Sequence, residues 1–296
     1  CAGSRSMFLR HAFAAVSLAL ALAGAGRAPA QPACGIEGPA CTVPLGTYRV
    51  ALPGGAAPPG GFPALVFFHG AGGTGAGTLR NGAMVSEFLA RGWVVIAPDG
   101  LVRPGSNFGP GWSFHPSRPR QRDEAAFTRE ILADAARRFD IDRSRVLLSG
   151  FSVGGSLVWY LACADPGLAA AYAPVAGAFW RPHPEMGACA GPVRLLHTHG
   201  WRDETVPLEG RPLRGGAILQ GDVFHGLEIL RDANGCTGLR ADAYDTEGPF
   251  WRRWWTRCTP GSALQLALHT GGHSVPPGWA ALALDWFAEV VPGDPE

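Results

Sequence analysis

Short apolar runs recur along the chain, and the stretches between them repeat apolar residues every three or four positions. An apolar run is typical of a strand buried on both faces, and the longer repeat is typical of an amphipathic helix. Strands are predicted at 47–52, 64–68, 93–97, 145–149, 171–175, 193–197 and 264–268. Helices are predicted at 79–91, 123–139, 222–234 and 278–289, and a further one follows residue 152. This alternation predicts an α/β fold, a single domain whose mostly parallel sheet has helices on both faces.

The composition fits one globular domain of this class. The chain has 296 residues, of which 47% are hydrophobic and 17% are charged, so material for a core is ample. Its formal net charge is only +1 at pH 7. Because no basic stripe follows from this balance, we expect no nucleic-acid partner.

Candidate chemistry begins at residues 150–155, which read GFSVGG and join the predicted strand 145–149 to the next helix. The pattern G-x-S-x-G in this context predicts a nucleophile elbow, a strained turn that exposes a serine hydroxyl and needs glycines around it. The first N–H groups of the helix then lie beneath the serine, where they can stabilise an anion. Ser152 is therefore the candidate nucleophile, and the alternative is a serine that only caps the helix.

A candidate acid and a candidate base follow downstream. Asp203 comes after the run 193–197, and His273 comes after the run 264–268. Serine, acid and histidine in that order, each in a loop after a strand, is the chain order of an α/β-hydrolase. Glu204 and Glu209 are alternative acids. Six other histidines are alternatives to His273, which alone combines the Gly-Gly loop with a late chain position: His69, His115, His197, His199, His225 and His269.

The predicted strand 64–68 runs into the loop 69–73, which reads HGAGG. Such a loop supplies the second N–H of an oxyanion hole, and the residue after the nucleophile supplies the first. We predict Val153 and Ala71 as donors, with Gly70 or Gly72 as alternatives to Ala71. His69 is expected to shape this loop.

Two other features concern side chains near the predicted site. His197 and His199 share one face of their strand, and we expect them to be packed and hydrogen-bonded rather than metal ligands. No metal or cofactor is expected. Trp112, Trp201 and Trp279 follow strand ends, at the active face of an open α/β sheet, and are predicted to wall an apolar cleft. Packing in the core or at the base of a loop is the alternative for each tryptophan.

Residues 1–30 are predicted to be a signal peptide. Two arginines precede the almost wholly apolar stretch 11–26, and residues 28–30 (APA) offer a cleavage site. The apolar stretch is too short to span a membrane comfortably, so we expect no stable anchor and a secreted or periplasmic protein with its catalytic domain at 31–296. A lipoprotein signal at Cys34 is the alternative. Residues 1–6 precede the first methionine, and we take them as a feature of the gene boundary.

Export changes the interpretation of the cysteines. Six remain after cleavage, and an even number in an oxidising compartment favours disulfides. They fall into three sequential pairs that each enclose a short loop, namely Cys34–Cys41, Cys163–Cys189 and Cys236–Cys258. Free buried cysteines are the alternative, and the spacing does not support a zinc site.

Several motifs together resemble the polyhydroxybutyrate depolymerase and feruloyl esterase family. They are 66–70 (VFFHG), 150–155 (GFSVGG), 199–203 (HGWRD), 206–207 (VP), 234–236 (NGC) and 271–273 (GGH). The resemblance implies a secreted serine esterase of the α/β-hydrolase fold, with Ser152 as nucleophile, Asp203 as acid and His273 as base. It also supports two of the disulfides, Cys163–Cys189 and Cys236–Cys258.

Two departures from the family pattern lie in the predicted cleft. Val153 occupies a position that is often polar or small, and residues 273–276 read HSVP where the family often has a Trp-Pro pair. Both changes concern the substrate more than the chemistry. We expect a monomer that hydrolyses short hydroxyalkanoate or aromatic, feruloyl-type esters, small or polymeric, through an acyl-enzyme. A peptidase on the same fold and an exported binding protein on an inactive hydrolase scaffold are the alternatives.

Overall fold

A ten-stranded sheet is the centre of the computed structural model, which describes residues 1–3, 34, 38–104 and 109–292. The strands found among these residues are β1 (Cys41–Val43), β2 (Gly46–Ala51), β3 (Phe62–Phe68), β4 (Val94–Pro98), β5 (Leu101–Val102), β6 (Pro110–Gly111), β7 (Ile141–Phe151), β8 (Ala171–Val175), β9 (Trp180–Arg181), β10 (Arg194–Gly200), β11 (Pro212–Leu213), β12 (Ile218–Gln220), β13 (Ala243–Asp245), β14 (Trp251–Trp255) and β15 (Ala263–His269). Their order across the large sheet is β1-β2-β4-β3-β7-β8-β10-β15-β14-β13. From β4 to β15 in this order the strands are parallel, and antiparallel strands close both edges.

Helices cover both faces of the sheet. Their bounds are α1 (Gly75–Leu79), α2 (Gly82–Ala90), α3 (Glu124–Phe139), α4 (Val153–Ala164), α5 (Val223–Ala233) and α6 (Trp279–Val290), with a 3₁₀ turn at Arg214–Gly216. Alternate residues of β3 enter two different apolar clusters: Val66 and Phe68 pack on the side of α3, α4 and α5, whereas Leu65 and Phe67 pack on the side of α1, α2 and α6. The predicted α/β fold, with helices on both faces of the sheet, is confirmed. A strand of such a sheet can be apolar throughout, because both of its faces are covered.

One predicted helix is wrong. The pattern at 79–91 predicts a single helix, but the chain forms α1 and α2 with a break between them. Asn81 causes the break, since its side chain accepts a hydrogen bond from the Met84 N–H and caps a new helix. The strand β14, which lies next to the edge strand β13, is also absent from the sequence prediction.

All three predicted disulfides are present in the structure. One bond ties Cys34 to the start of β1 at Cys41. The bond Cys163–Cys189 joins the end of α4 to the segment before β10, and Cys236–Cys258 joins the segments that follow α5 and β14. The first two bonds each fix a peripheral segment to a strand or helix, and the third links two peripheral segments.

The described residues from 34 to 292 form one compact unit. Within the described part of the chain, no helix is both long and apolar enough to cross a membrane. The predicted signal peptide lies outside the described residues, apart from residues 1–3, so it stays a prediction.

Candidate active site

Ser152 occupies the turn between β7 and α4, at the carboxyl edge of the parallel strands. Its φ of 60° and ψ of −121° form a conformation that residues other than glycine rarely adopt. Neighbouring backbone leaves no room for side chains around this turn. A Cβ on Gly150 would lie 2.6 Å from the backbone of Gly154, and a Cβ on Gly154 would lie 2.1 Å from the Phe68 carbonyl oxygen. Both glycines of the motif are therefore required by close approach.

Two hydrogen bonds connect Ser152, His273 and Asp203. Ser152 Oγ lies 2.9 Å from His273 Nε2, and His273 Nδ1 lies 2.7 Å from Asp203 Oδ2. A carboxylate only accepts, so Nδ1 carries the hydrogen and Nε2 accepts from the serine hydroxyl. An imidazole held in this way can take the serine proton. The alternative acids, Glu204 and Glu209, are exposed side chains.

The loop at 203–206 holds the carboxylate of Asp203. Its Oδ1 accepts hydrogen bonds from the backbone N–H groups of Thr205 at 2.9 Å and Val206 at 2.8 Å. Burial by itself would raise the pKa of this carboxyl. The hydrogen bonds from His273 and from the Val206 N–H outweigh burial, and the pKa of Asp203 lies below its usual value. The group is therefore ionised near neutral pH.

Two buried histidines continue the hydrogen-bond chain behind Asp203. His199 Nε2 lies 2.7 Å from the Val206 carbonyl oxygen and 3.4 Å from Asp203 Oδ2. Because a carbonyl only accepts, His199 donates from Nε2, and its Nδ1 accepts from His197 Nε2 at 2.9 Å. His197 Nδ1 accepts in turn from the Trp159 indole N–H at 3.3 Å. Burial is the main cause that lowers the pKa of both histidines, so both rings are neutral. Their predicted packed, hydrogen-bonded role is confirmed.

The loop after β3 is fixed by the side chain of His69. Its Nδ1 donates to the Gly70 carbonyl at 2.7 Å, and its Nε2 accepts from the Gly100 N–H at 2.9 Å. The Trp112 indole N–H donates to the His69 carbonyl at 2.8 Å. Burial lowers the pKa of His69, which agrees with the neutral tautomer that these bonds require. The loop is thus held both by the His69 side chain and by the Trp112 indole.

Backbone N–H groups near Ser152 differ in whether they already have an acceptor. The Gly72 N–H donates to the Pro110 carbonyl at 2.9 Å. Within the described ranges the Ala71 N–H donates to no acceptor, and Ala71 lines the same cleft as Val153. Val153 is the first residue of α4, so its N–H has no acceptor within the helix. Gly70 borders a different cavity. These contacts favour Val153 and Ala71 as oxyanion donors.

A cleft of about 300 Å³ opens beside Ser152. Aromatic side chains of Trp112, Phe114 and Trp180 line it. Four arginines also line the cleft: Arg103, Arg118, Arg211 and Arg214. These arginines could not be found from the sequence, because they come from loops far apart in the chain and belong to no motif.

Two of the three tryptophans that are predicted to wall the cleft lie elsewhere in the structure. Trp112 lines it. Trp279 is wholly buried, with its ring centroid 5.7 Å from that of Phe67, because it begins α6 on the side that faces the core. Trp201 is 56% exposed, and its ring lies beside that of Trp251 instead.

A mostly parallel sheet with a serine elbow, a buried acid and a histidine at its carboxyl edge defines an α/β-hydrolase. Residues 61–213 match the model of the phospholipase/carboxylesterase family, and the chain belongs to this family.

Individual relatives also carry esterase names. NocK of Nocardia uniformis subsp. tsuyamanensis, described by its name as a candidate esterase, is 29% identical over 168 residues, 55% of this chain and 46% of that protein. Feruloyl esterase B of Piromyces equi is 26% identical over 181 residues, 60% of this chain and 33% of that protein. The match thus spans less than half the length of either relative. The acetyl xylan esterase of Aspergillus awamori has the same fold, with a TM-score of 0.59 at 17% identity, over 81% of this chain and 93% of that one.

Proposed function

We propose that this protein is an exported serine ester hydrolase that acts on short hydroxyalkanoate or aromatic, feruloyl-type esters. The observation that carries the proposal is the unbroken pair of hydrogen bonds, 2.9 and 2.7 Å long, from Ser152 through His273 to Asp203. Membership of the carboxylesterase family supports ester over amide hydrolysis. The name of the Piromyces equi relative supports an aromatic acyl group.

The reaction proceeds in two halves. Ser152 Oγ attacks the ester carbonyl while its proton passes to His273 Nε2, and the carbonyl oxygen becomes an oxyanion. The N–H groups of Val153 and Ala71 donate to this oxyanion, and each is worth about 3 kcal/mol of barrier. The bond from carbon to the leaving oxygen then breaks, and His273 returns the proton to the alcohol. Asp203 orients the imidazole and stabilises its charged form.

Water completes the cycle. It attacks the acyl-enzyme carbonyl while His273 again accepts a proton, and collapse of the second tetrahedral intermediate releases the carboxylic acid and restores the Ser152 hydroxyl. No step requires a group other than these side chains, the backbone N–H donors and water.

Turnover of 4-nitrophenyl butyrate tests the nucleophile. We expect Ser152→Ala to lower kcat by at least about 1000-fold. Ser86→Ala, an exposed serine on α2, is the matched control and keeps full activity. A fluorophosphonate should label the wild-type protein and the control but not Ser152→Ala. Most activity surviving in Ser152→Ala would refute the assignment.

Two further measurements separate the competing functions. Faster hydrolysis of a 4-nitroanilide than of the matching 4-nitrophenyl ester would favour a peptidase, and failure of the wild type to react with a fluorophosphonate would favour a binding protein. A panel of feruloyl, acetyl-sugar and hydroxybutyrate-oligomer esters then ranks the substrates.

Export is supported by the pattern of residues 1–30 and by the three disulfides, which persist only in an oxidising compartment. Expression of the full chain in a bacterium, followed by N-terminal sequencing of the exported protein, tests it. We expect Gln31 as the first residue, and retention of the first 30 residues in a cytoplasmic protein would contradict export.

A further inference from the structure

Positive charge is concentrated in the cleft beside Ser152. Of the described residues that line this cleft, none is Asp or Glu, whereas four are arginine. They are Arg103, Arg118, Arg211 and Arg214. The formal net charge of the whole chain is only +1, so the cleft is not merely part of a basic protein.

Arg103 and Arg211 are positioned by contacts that leave their charge uncompensated. Arg103 donates to the Pro119 carbonyl at 3.2 Å, and Arg211 donates to the Thr205 carbonyl at 3.0 Å. Among the residues that the structure describes, no acid forms an ion pair with Arg103, Arg118 or Arg211. A carbonyl orients a guanidinium without cancelling its charge, so these groups can still attract an anion.

Repulsion between the arginines of the cleft also favours the binding of an anion. Arg118 is half-buried, and burial together with the charges of Arg214 and Arg103 lowers its pKa. Like charges that are held close together raise the free energy of the empty cleft. A carboxylate bound between them would relieve this repulsion, and guanidinium groups can bind it through paired hydrogen bonds.

The cleft lies on the acyl side of the scissile ester. The leaving alcohol must lie against His273, because this imidazole protonates it. His273 does not line the arginine cleft, whereas Ser152, Val153 and Ala71 do. The geometry points to an acyl group whose far end carries a carboxylate, that is, to a monoester of a dicarboxylic acid. The inference rests on the proposed ester hydrolysis and adds a requirement on the acyl group.

Kinetics with a matched pair of substrates test this requirement. The pair is the 4-nitrophenyl monoester of adipic acid and 4-nitrophenyl hexanoate, which lacks the carboxylate. We expect kcat/KM to favour the monoester by at least about tenfold at low salt, and the preference to shrink as salt screens the charges. Equal kcat/KM values for the two esters would overturn the inference.

Arginine variants locate the preference. Arg118→Gln and the exposed Arg211→Gln should each lower the ratio of the two kcat/KM values at least about fivefold, and Arg118→Lys should keep part of it. The matched control is Arg143→Gln, an exposed arginine at the opposite end of β7 from Ser152, which leaves the ratio unchanged. A ratio that is the same in all variants would also overturn the inference.

Binding separates this inference from the proposed function. Calorimetric titration of Ser152→Ala with the monoester should give a Kd that rises at least about tenfold when Arg118→Gln is added. If Ser152→Ala still turned over esters but the Kd rose in this way, the proposed nucleophile would fail and the carboxylate site would stand. If turnover needed Ser152 and the Kd stayed the same, the carboxylate site would fail and the esterase would stand.

Discussion

At the scale of single residues, Gly154 sets the distance between α4 and β3. A Cβ at this position would lie 2.1 Å from the Phe68 carbonyl oxygen. Gly154→Ala should push the start of α4 away and move Ser152 out of line with His273, so we expect kcat to fall at least about 100-fold. Gly82→Ala, whose Cβ would meet nothing within 4 Å, is the control and should keep wild-type kcat. Normal activity in Gly154→Ala would show that the elbow tolerates a wider turn.

His199 has a positioning role that can be tested in the same way. It donates to the Val206 carbonyl and so holds the loop that carries Asp203. We expect His199→Leu to lower kcat about 10- to 100-fold and to change KM less than about twofold, because His199 does not line the cleft. His225→Leu, a histidine of α5 that pairs with Glu228, is the control. A rise in KM as large as the fall in kcat would instead indicate general loosening of the site.

At the scale of elements, the start of α3 depends on one side chain. Asp123 accepts a hydrogen bond from the Ala126 N–H at 3.0 Å and caps the helix. Asp123→Ala should lower the free energy of unfolding by about 1 kcal/mol, whereas Asp123→Ser should recover most of it. Urea denaturation measures both variants. Equal stability of the alanine and serine variants would mean that the cap contributes nothing.

The elements that the sequence predicts well are those whose environment is uniform. Runs such as 171–175 are apolar throughout because helices cover the sheet on both sides, and β8 has these bounds. The strand β14 lies between β15 and the edge strand β13, and its side chains alternate between exposed and half-buried from Trp251 to Trp254. Its pairing with β15 depends on residues that follow it in the chain. Short-range patterns do not contain that information.

The residues of the candidate site also differ in how far the sequence predicts them. Ser152, Asp203 and His273 could be predicted because their order follows the order of the strands that present them. The arginine cleft could not, since it depends on how three loops fold over one another. The sequence also does not show which side of its helix or strand a tryptophan faces. For this reason the prediction places Trp279 in the cleft, whereas it lies in the core.

At the scale of the whole molecule, the buried histidines couple stability to pH. The folded-state pKa of His197 lies well below its usual value, so below about pH 6.5 the unfolded chain binds more protons than the folded one. The stability that depends on this ring is present above that pH and is lost as the pH falls, by up to about 1.4 kcal/mol per pH unit for each such ring. The lowered pKa of Asp203 acts in the same direction only below about pH 4.

Urea titrations between about pH 7.5 and about pH 5.5 measure this dependence. The free energy of unfolding should decrease across the range, and His197→Gln, which cannot titrate there, should give a shallower decrease. A stability that is constant over this range would contradict the neutral, buried state of the ring.

The three disulfides have a consequence for how the chain matures. Each disulfide joins two cysteines that are consecutive along the chain, at separations of 7, 26 and 22 residues. If the protein emerges N-terminus first into an oxidising compartment, every cysteine meets its native partner before the following pair arrives. Oxidation in order of arrival then yields the native connectivity without reshuffling. A fully reduced chain that is refolded at once presents all of these thiols together and must sort correct pairs from wrong ones.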